Sequence, residues 1–207
     1  MIGVDISDKM LRIARMNNPC GDYRLIPGDD LSELSTGTFD LILAAFTFDN
    51  VPAAMKPRLF YDLRSLLAPN GIIVNVVSSP EIYTHEWASF TTKNFPENAT
   101  AQDGDLVRII VTDHHDYRPV EDILCTDRSY QEIYGKVGLE NIETLKPLAK
   151  GDEHHKWVSE TKIAPWVIYV LRRPACNTGL PAEPPAILDA YIAKVSSSAK
   201  LYRACAY

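Results

Sequence analysis

Residues 1–15 read MIGVDISDKMLRIAR, and the order of residue types in them decides the fold class. Met1–Ile6 is mostly apolar and reads as a strand, with an acid, Asp5, near its tip. Ser7 is placed to cap a helix, and Asp8 favours the positive end of that helix. Met10, Leu11 and Ala14 then share one helical face, which predicts a helix from about Asp8 to Met16. A strand running straight into an amphipathic helix is the repeating unit of an α/β sheet. A carboxylate at the carboxyl end of such a strand stands where these sheets bind ligands. There Asp5 has the geometry to accept two hydrogen bonds from the 2′- and 3′-hydroxyls of a ribose. An aspartate in this position is equally well an ordinary turn residue, and the stretch alone does not choose.

The pattern continues downstream. YRLIPGDDL is a short strand running into a turn. FDLILAAF (Phe39–Phe46) and GIIVNVVS (Gly71–Ser78) are almost unbroken apolar runs, as expected of parallel strands covered on both faces. Between them Leu59, Leu63, Leu66 and Leu67 recur at helical spacing, which predicts a helix over Arg58–Ala68 with Pro57 in its first turn and APNG stopping it. Strand, helix and strand make the crossover unit of a doubly wound sheet. After Ser79 the periodicity is lost in a long polar stretch carrying Tyr83, Trp87, Phe90 and Phe95. LVRIIVTDHHDYRPVEDILCT then predicts two antiparallel strands, Asp127 a cap for a helix ending near Gly138, and LENIETLKPL and PWVIYVLRR two closing strands. From Pro174 the composition shifts to Pro, Ala and Ser, which reads as a tail containing one helix, Ile187–Val195.

Composition sets bounds on partners. The chain has 207 residues, 46% of them hydrophobic and 23% charged, enough to bury a sizeable core. A net charge of −6 without a Lys/Arg run argues against a nucleic acid or an anionic membrane surface. No apolar stretch approaches the roughly 18 residues of a membrane span, and no signal peptide opens the chain, so the expected location is the cytoplasm. Cys20, Cys125, Cys176 and Cys205 are far apart and form no CxxC pair, which reads as free thiols in a reducing compartment.

A second motif follows the first by about two dozen residues. In PGDDL (Pro27–Leu31), Gly28 permits a tight turn, Asp29 can accept from an exocyclic amine, and the Asp30 backbone N–H can donate to a ring nitrogen. That is the donor–acceptor pair an adenine edge requires, although GDD is also a plain turn sequence. In FDLILAAFTFDNV, Ala45, Phe46 and Phe48 stand at the same sheet edge, where aromatics serve as ligand contacts or as core.

Taken together, in this order and followed by LRSLLAPNGIIVNVVS, these stretches resemble the class I S-adenosylmethionine-dependent methyltransferases of the small-molecule type. The resemblance covers roughly residues 1–173 and is clearest over the first 80. It implies a Rossmann-like, doubly wound, mostly parallel sheet with an antiparallel insert or cap, and S-adenosylmethionine as cofactor. It further implies that Asp5 binds the ribose hydroxyls and that Ile6 and Met10 pack near the adenine. Asp29 and the Asp30 amide would read the adenine edge, and Leu31, Ala45 and Phe46 would lie beside the cofactor. The family's first strand, with its glycine-rich loop, has no counterpart here. The expected domain is therefore 1–173, truncated at its start and incomplete at the N-terminal side of the sheet. Within it, residues 79–126 would cover the acceptor, and residues 174–207 would form the tail.

Methyl transfer from a sulfonium needs an aligned nucleophile and exclusion of water. A base is needed only where the acceptor is protonated. Among the histidines, His85 in YTHEW best fits a base above the cofactor. His114–His115 and His154–His155 lack a third ligand at a recognised spacing, so no metal is expected. The leading expectation is an enzyme that methylates oxygen or nitrogen of a small-molecule acceptor. The competing one is a catalytically incomplete or degenerate relative that binds or scaffolds. A short-chain nicotinamide oxidoreductase is disfavoured because no tyrosine has a lysine four positions on. A nucleic-acid methyltransferase is disfavoured because AFTFDNVP replaces the N-(D/S)-P-P-(Y/F) type of motif. The oligomeric state is left open.

Overall fold

A computed structural model describes residues 1–28, 30–113 and 117–174, and its chain divides into two compact units with the break after Ser35. The expected tail helix, together with Cys176, Cys205, Asp29 and the His114–His115 pair, lies outside the described residues. Among the described residues no helix is long and apolar enough to cross a membrane.

The first unit holds strand β1 (Ile2–Asp5), helix α1 (Asp8–Asn17) and strand β2 (Asp22–Leu25). The strands pair in parallel, with Ile2 opposite Asp22 and Asp5 opposite Leu25. Ser7 caps α1 as expected, its hydroxyl accepting from the Met10 amide at 3.3 Å, and Leu11 is the buried residue of the helix. Arg15 ties the helix back to β2 by donating to the Tyr23 carbonyl at 2.8 Å. The Tyr23 ring lies so close to Gly3 that a Cβ there would meet it at 2.8 Å, which explains a glycine inside an apolar strand.

The second unit begins with β3 (Phe39–Ala45), α2 (Lys56–Leu66) and β4 (Leu67–Ser78). An insert follows, carrying β5 (Phe90–Thr91), β6 (Leu106–Val111) and β7 (Pro119–Ile123), and then α3 (Asp127–Lys136), β8 (Glu140–Leu145) and β9 (Trp166–Arg172). The main sheet has the order β3-β4-β9-β8. β3 and β4 are parallel, and β9 runs against both β4 and β8. β5, β6 and β7 form a separate antiparallel sheet, so the two strands expected in the insert pair as read.

The apolar run of β4 is buried throughout from Gly71 to Ser78 because both of its faces are covered. Ile73 and Val77 point into a core shared with Phe48, Phe60, Tyr130, Tyr134 and Tyr169. Ile72, Val74 and Val76 face the opposite side with Ile168 and Val170. A third cluster, including Ile82, Trp87, Phe90, Val107 and Trp166, lies under the small sheet. β3 departs from the expectation of two covered faces: it alternates, and Leu43 is 46% exposed. Among the described residues β3 is paired with β4, and β1 with β2.

Two element boundaries also differ from the sequence expectation. α2 ends at Leu66, and Leu67 already belongs to β4. Leucine spacing runs on past the true end, but Pro69 disfavours helical backbone at Ala68. The sheet register then shifts between Phe39 and Leu41 to accommodate APNG. Gly71 is required there because a Cβ would lie 2.4 Å from the Phe39 carbonyl oxygen. For α3 the cap is Thr126, whose hydroxyl accepts from the Ser129 amide at 3.3 Å. Asp127 is the first helical residue, and its carboxyl accepts from the Tyr169 hydroxyl and from Lys146 instead.

Candidate functional site

Asp5 is the last residue of β1 and is half-buried. Its Oδ1 accepts from the Ser7 amide at 2.7 Å, and its carbonyl from the Ile26 amide at 3.0 Å. The carboxyl group thus stands at the corner where β1 turns into α1, near the positive end of the helix. Beside it Ile6 is 68% exposed and Met10 is half-buried. A carboxyl group next to an exposed apolar side chain matches the two faces of an adenosine, hydroxyls on one side and a flat base on the other. These residues fit the ribose and adenine of S-adenosylmethionine on chemistry and placement.

The PGDDL turn leaves β2 beside this corner, since Asp5 and Leu25 are paired across the strands. Asp30 is exposed, and its Oδ1 accepts from the Ser32 amide at 2.9 Å. Its own amide, expected to meet a ring nitrogen, donates to the Pro27 carbonyl at 3.2 Å. That bond is at the long end of the normal range, and an adenine would have to displace it. Leu31 is half-buried and accepts at its carbonyl from the Leu34 amide.

In the second unit Ala45 ends β3 and is exposed. Phe46 has φ of +55°, the only positive value at a non-glycine among the described residues. Left-handed backbone costs a bulky residue about 1–2 kcal/mol and persists only where its surroundings hold it. The Phe46 amide donates to the Val76 carbonyl at 2.8 Å, and its ring meets Trp166 edge-on at 4.8 Å. His85 is half-buried, with Nδ1 3.1 Å from both the Glu81 carbonyl and the Thr84 hydroxyl. A carbonyl only accepts, so this contact puts the proton on Nδ1 and leaves the Nε2 lone pair to take another.

Of the insert's aromatic residues, which suit an acceptor pocket or satellite core equally well by sequence, three are core. Tyr83, Trp87 and Phe90 are 4%, 4% and 2% exposed and build the core under the small sheet. Trp87 donates to the Ile82 carbonyl at 2.9 Å, which settles its polar atom inside. His155 stacks on Trp157 at 4.7 Å in an exposed loop. Among the described residues no three His, Cys, Asp or Glu side chains are grouped to hold a metal.

The sequence reading missed a buried polar cluster just beyond β3. Asp49 is 7% exposed and accepts from the Ser78 amide (3.2 and 3.3 Å) and the Ser78 hydroxyl (3.1 Å). Asp122 is 4% exposed and accepts from the Tyr83 hydroxyl at 3.0 Å. With its amide nitrogen turned toward them, Asn50 donates to Asp122 Oδ1 at 2.6 Å and to the Glu121 carbonyl at 2.9 Å. Lys56 is fully buried and donates to the Phe48 carbonyl at 2.8 Å. Burial, reinforced by the Asp122 charge, pushes the Asp49 carboxyl up to about 7. Burial raises Asp122 and lowers Lys56 as well. The only sequence signal was an acid, Asp49, two residues after an apolar strand-and-turn run.

The order and direction of the strands define an α/β protein of the Rossmann-like class with an antiparallel insert. The chain's residues 1–75 match the family model described as "Methyltransferase domain". Solved structures of the same fold include three S-adenosylmethionine-dependent methyltransferases. The one from Methanosarcina mazei has 12% identity and a TM-score of 0.58, covering 84% of this chain and 82% of that one. The one from Mesorhizobium loti has 18% identity and a TM-score of 0.57, covering 83% and 80%. The one from Clostridium acetobutylicum has 12% identity and a TM-score of 0.54, covering 84% and 75%. A search of curated proteins finds no match. The fold is that of the class I S-adenosylmethionine-dependent methyltransferases.

Proposed function

We propose that this chain transfers the methyl group of S-adenosylmethionine to an oxygen or nitrogen of a small-molecule acceptor. The observation that carries this reading is the β1–α1 corner, where Asp5 and the exposed Ile6 stand side by side inside the segment matched as a methyltransferase domain. The cofactor supplies an activated sulfonium methyl group. Asp5 binds the two ribose hydroxyls, Ile6 and Met10 cover the adenine, and Asp29, Asp30 and Leu31 flank its edge. For the second unit the reading assigns Ala45 and Phe46 to the cofactor. His85 takes the acceptor's proton at Nε2, since Nδ1 is committed to the Glu81 carbonyl. The net charge of −6 and the lack of a basic run argue against a nucleic-acid acceptor and favour a small one.

A second reading is a catalytically incomplete relative that binds or scaffolds without turnover. Calorimetric titration with S-adenosylmethionine and an assay with radiolabelled cofactor against small acids, phenols and amines separate the two. The methyltransferase reading predicts saturable binding and label transfer to at least one acceptor. The second predicts binding alone. If His85 is the base, His85→Gln lowers turnover of a phenol or acid about 100-fold or more and leaves cofactor affinity unchanged. An equal loss of affinity would assign His85 to binding.

A further inference from the structure

A buried carboxyl group joins the insert to the loop between β8 and β9, within one unit of the chain. Glu160 is fully buried, and its side chain accepts from backbone amides of two segments far apart in sequence. Oε1 accepts from the Ala88 amide at 2.6 Å. Oε2 accepts from the Val158 amide at 2.8 Å and the Ser159 amide at 3.0 Å. The Glu160 carbonyl also accepts from the Ala149 amide at 2.9 Å, which closes the loop on itself. A buried carboxyl group is costly unless its oxygens are hydrogen-bonded, and these three donors meet that need. One oxygen serves each segment, so the side chain is a bridge.

The Ala88 end of the bridge is a tight turn that also carries His85. The Trp87 amide donates to the Phe90 carbonyl at 3.2 Å. Glu86 accepts from the Thr91 hydroxyl and the Thr92 amide, both at 2.8 Å. The Thr92 hydroxyl lies 3.1 Å from the His85 carbonyl, and the His85 ring meets the buried Trp87 ring edge-on at 6.3 Å. These bonds are local and fix the shape of the turn. The bond from Ala88 to Glu160 comes from outside the insert, 72 residues further along the chain, and fixes where the turn stands.

We infer that Glu160 is a positioning residue for the turn carrying His85, holding it to the loop ahead of β9 through the Ala88 amide. Its consequence for catalysis rests on the proposed function, in which His85 takes the acceptor's proton. The bridge itself does not depend on that reading. A general base works only within hydrogen-bond reach of the proton it removes. A turn released from Glu160 therefore loses turnover while the groups assigned to the cofactor stay as they are.

The test uses Glu160→Gln, which keeps the shape and replaces one acceptor oxygen by an NH2 group that cannot accept from an amide. The remaining oxygen satisfies most donors on Val158 and Ser159, so the Ala88 amide loses its partner. Hydrogen exchange of the ligand-free protein reads the bridge. Protection of the Ala88 amide, and of the Trp87 and Thr92 amides in the same turn, should fall about tenfold or more. Unchanged protection at Trp87 and Thr92 overturns the proposal. With radiolabelled cofactor and a phenol or carboxylic acid as acceptor, Glu160→Gln should lower turnover about tenfold to 100-fold at unchanged cofactor affinity. Added to His85→Gln, it should cost nothing more, because the two act through one group. Losses that multiply make Glu160 merely structural and overturn the proposal. If Glu160→Gln does not fold, the wild type decides: the Ala88, Thr92 and Ser159 amides, on both sides of the bridge, share one protection, and unequal protection overturns the proposal. Wild-type protein that transfers no label, or a fully active His85→Gln, refutes the reading of the site, and the exchange data still decide the bridge.

Discussion

Asp5 and Asp49 both follow apolar stretches near the carboxyl end of a strand, and their surroundings separate them. Asp5 is half-buried, shares one oxygen with the Ser7 amide and lies beside an exposed isoleucine. Asp49 is enclosed by Ser78, Lys56 and Asp122. The sign of its effect on stability follows directly. Its folded value of about 7 lies above the ordinary aspartate value, so between roughly pH 4 and pH 7 the folded protein holds more protons than the unfolded chain. Its contribution is fully present below about pH 4 and is lost as pH rises through 7. Thermal melts should therefore show wild-type stability falling, relative to Asp49→Asn, across pH 5–8. Parallel profiles for the two proteins would contradict this. Asp5 was legible in the sequence because strand, acid and helix are contiguous. The Asp49 cluster was not, because positions 49, 56, 78, 83 and 122 meet only through the fold.

The elements were legible to different degrees for physical reasons. The unbroken apolar run of β4 announces a strand buried on both faces, and the Ser7 cap marks the start of α1. The end of α2 was misread because Leu67 continues the helical leucine spacing, while the stop signal sits two residues later at Pro69. Tyr83, Trp87 and Phe90 have no periodicity to distinguish core from pocket, and the small sheet uses them as core. Two substitutions test how the second unit is held. Thr126→Ala removes the α3 cap and should cost about 1 kcal/mol. Phe48→Ala removes one of two stacked buried rings and should cost about 3–5 kcal/mol. Denaturant melts check both. A Phe48→Ala cost no greater than that of Thr126→Ala would show that the post-β3 segment does not anchor the core.

For the whole molecule, the α/β fold class follows the sequence expectation, and a methyltransferase-domain match covers residues 1–75. The insert between β4 and α3 was expected as an acceptor cover, and its sheet packs on a core of nine buried residues, eight from the insert and Trp166 from β9. Trp87 is buried within that core, so Trp87→Ala should lower stability before it alters acceptor preference. The central claim is that Asp5 and its neighbours hold S-adenosylmethionine. Isothermal titration of the 207-residue protein and of Asp5→Ala tests it most directly. The wild type should bind saturably and one to one, and Asp5→Ala should bind at least about tenfold more weakly through loss of two hydrogen bonds to a charged acceptor. No binding by the wild type, or equal binding by Asp5→Ala, would contradict it.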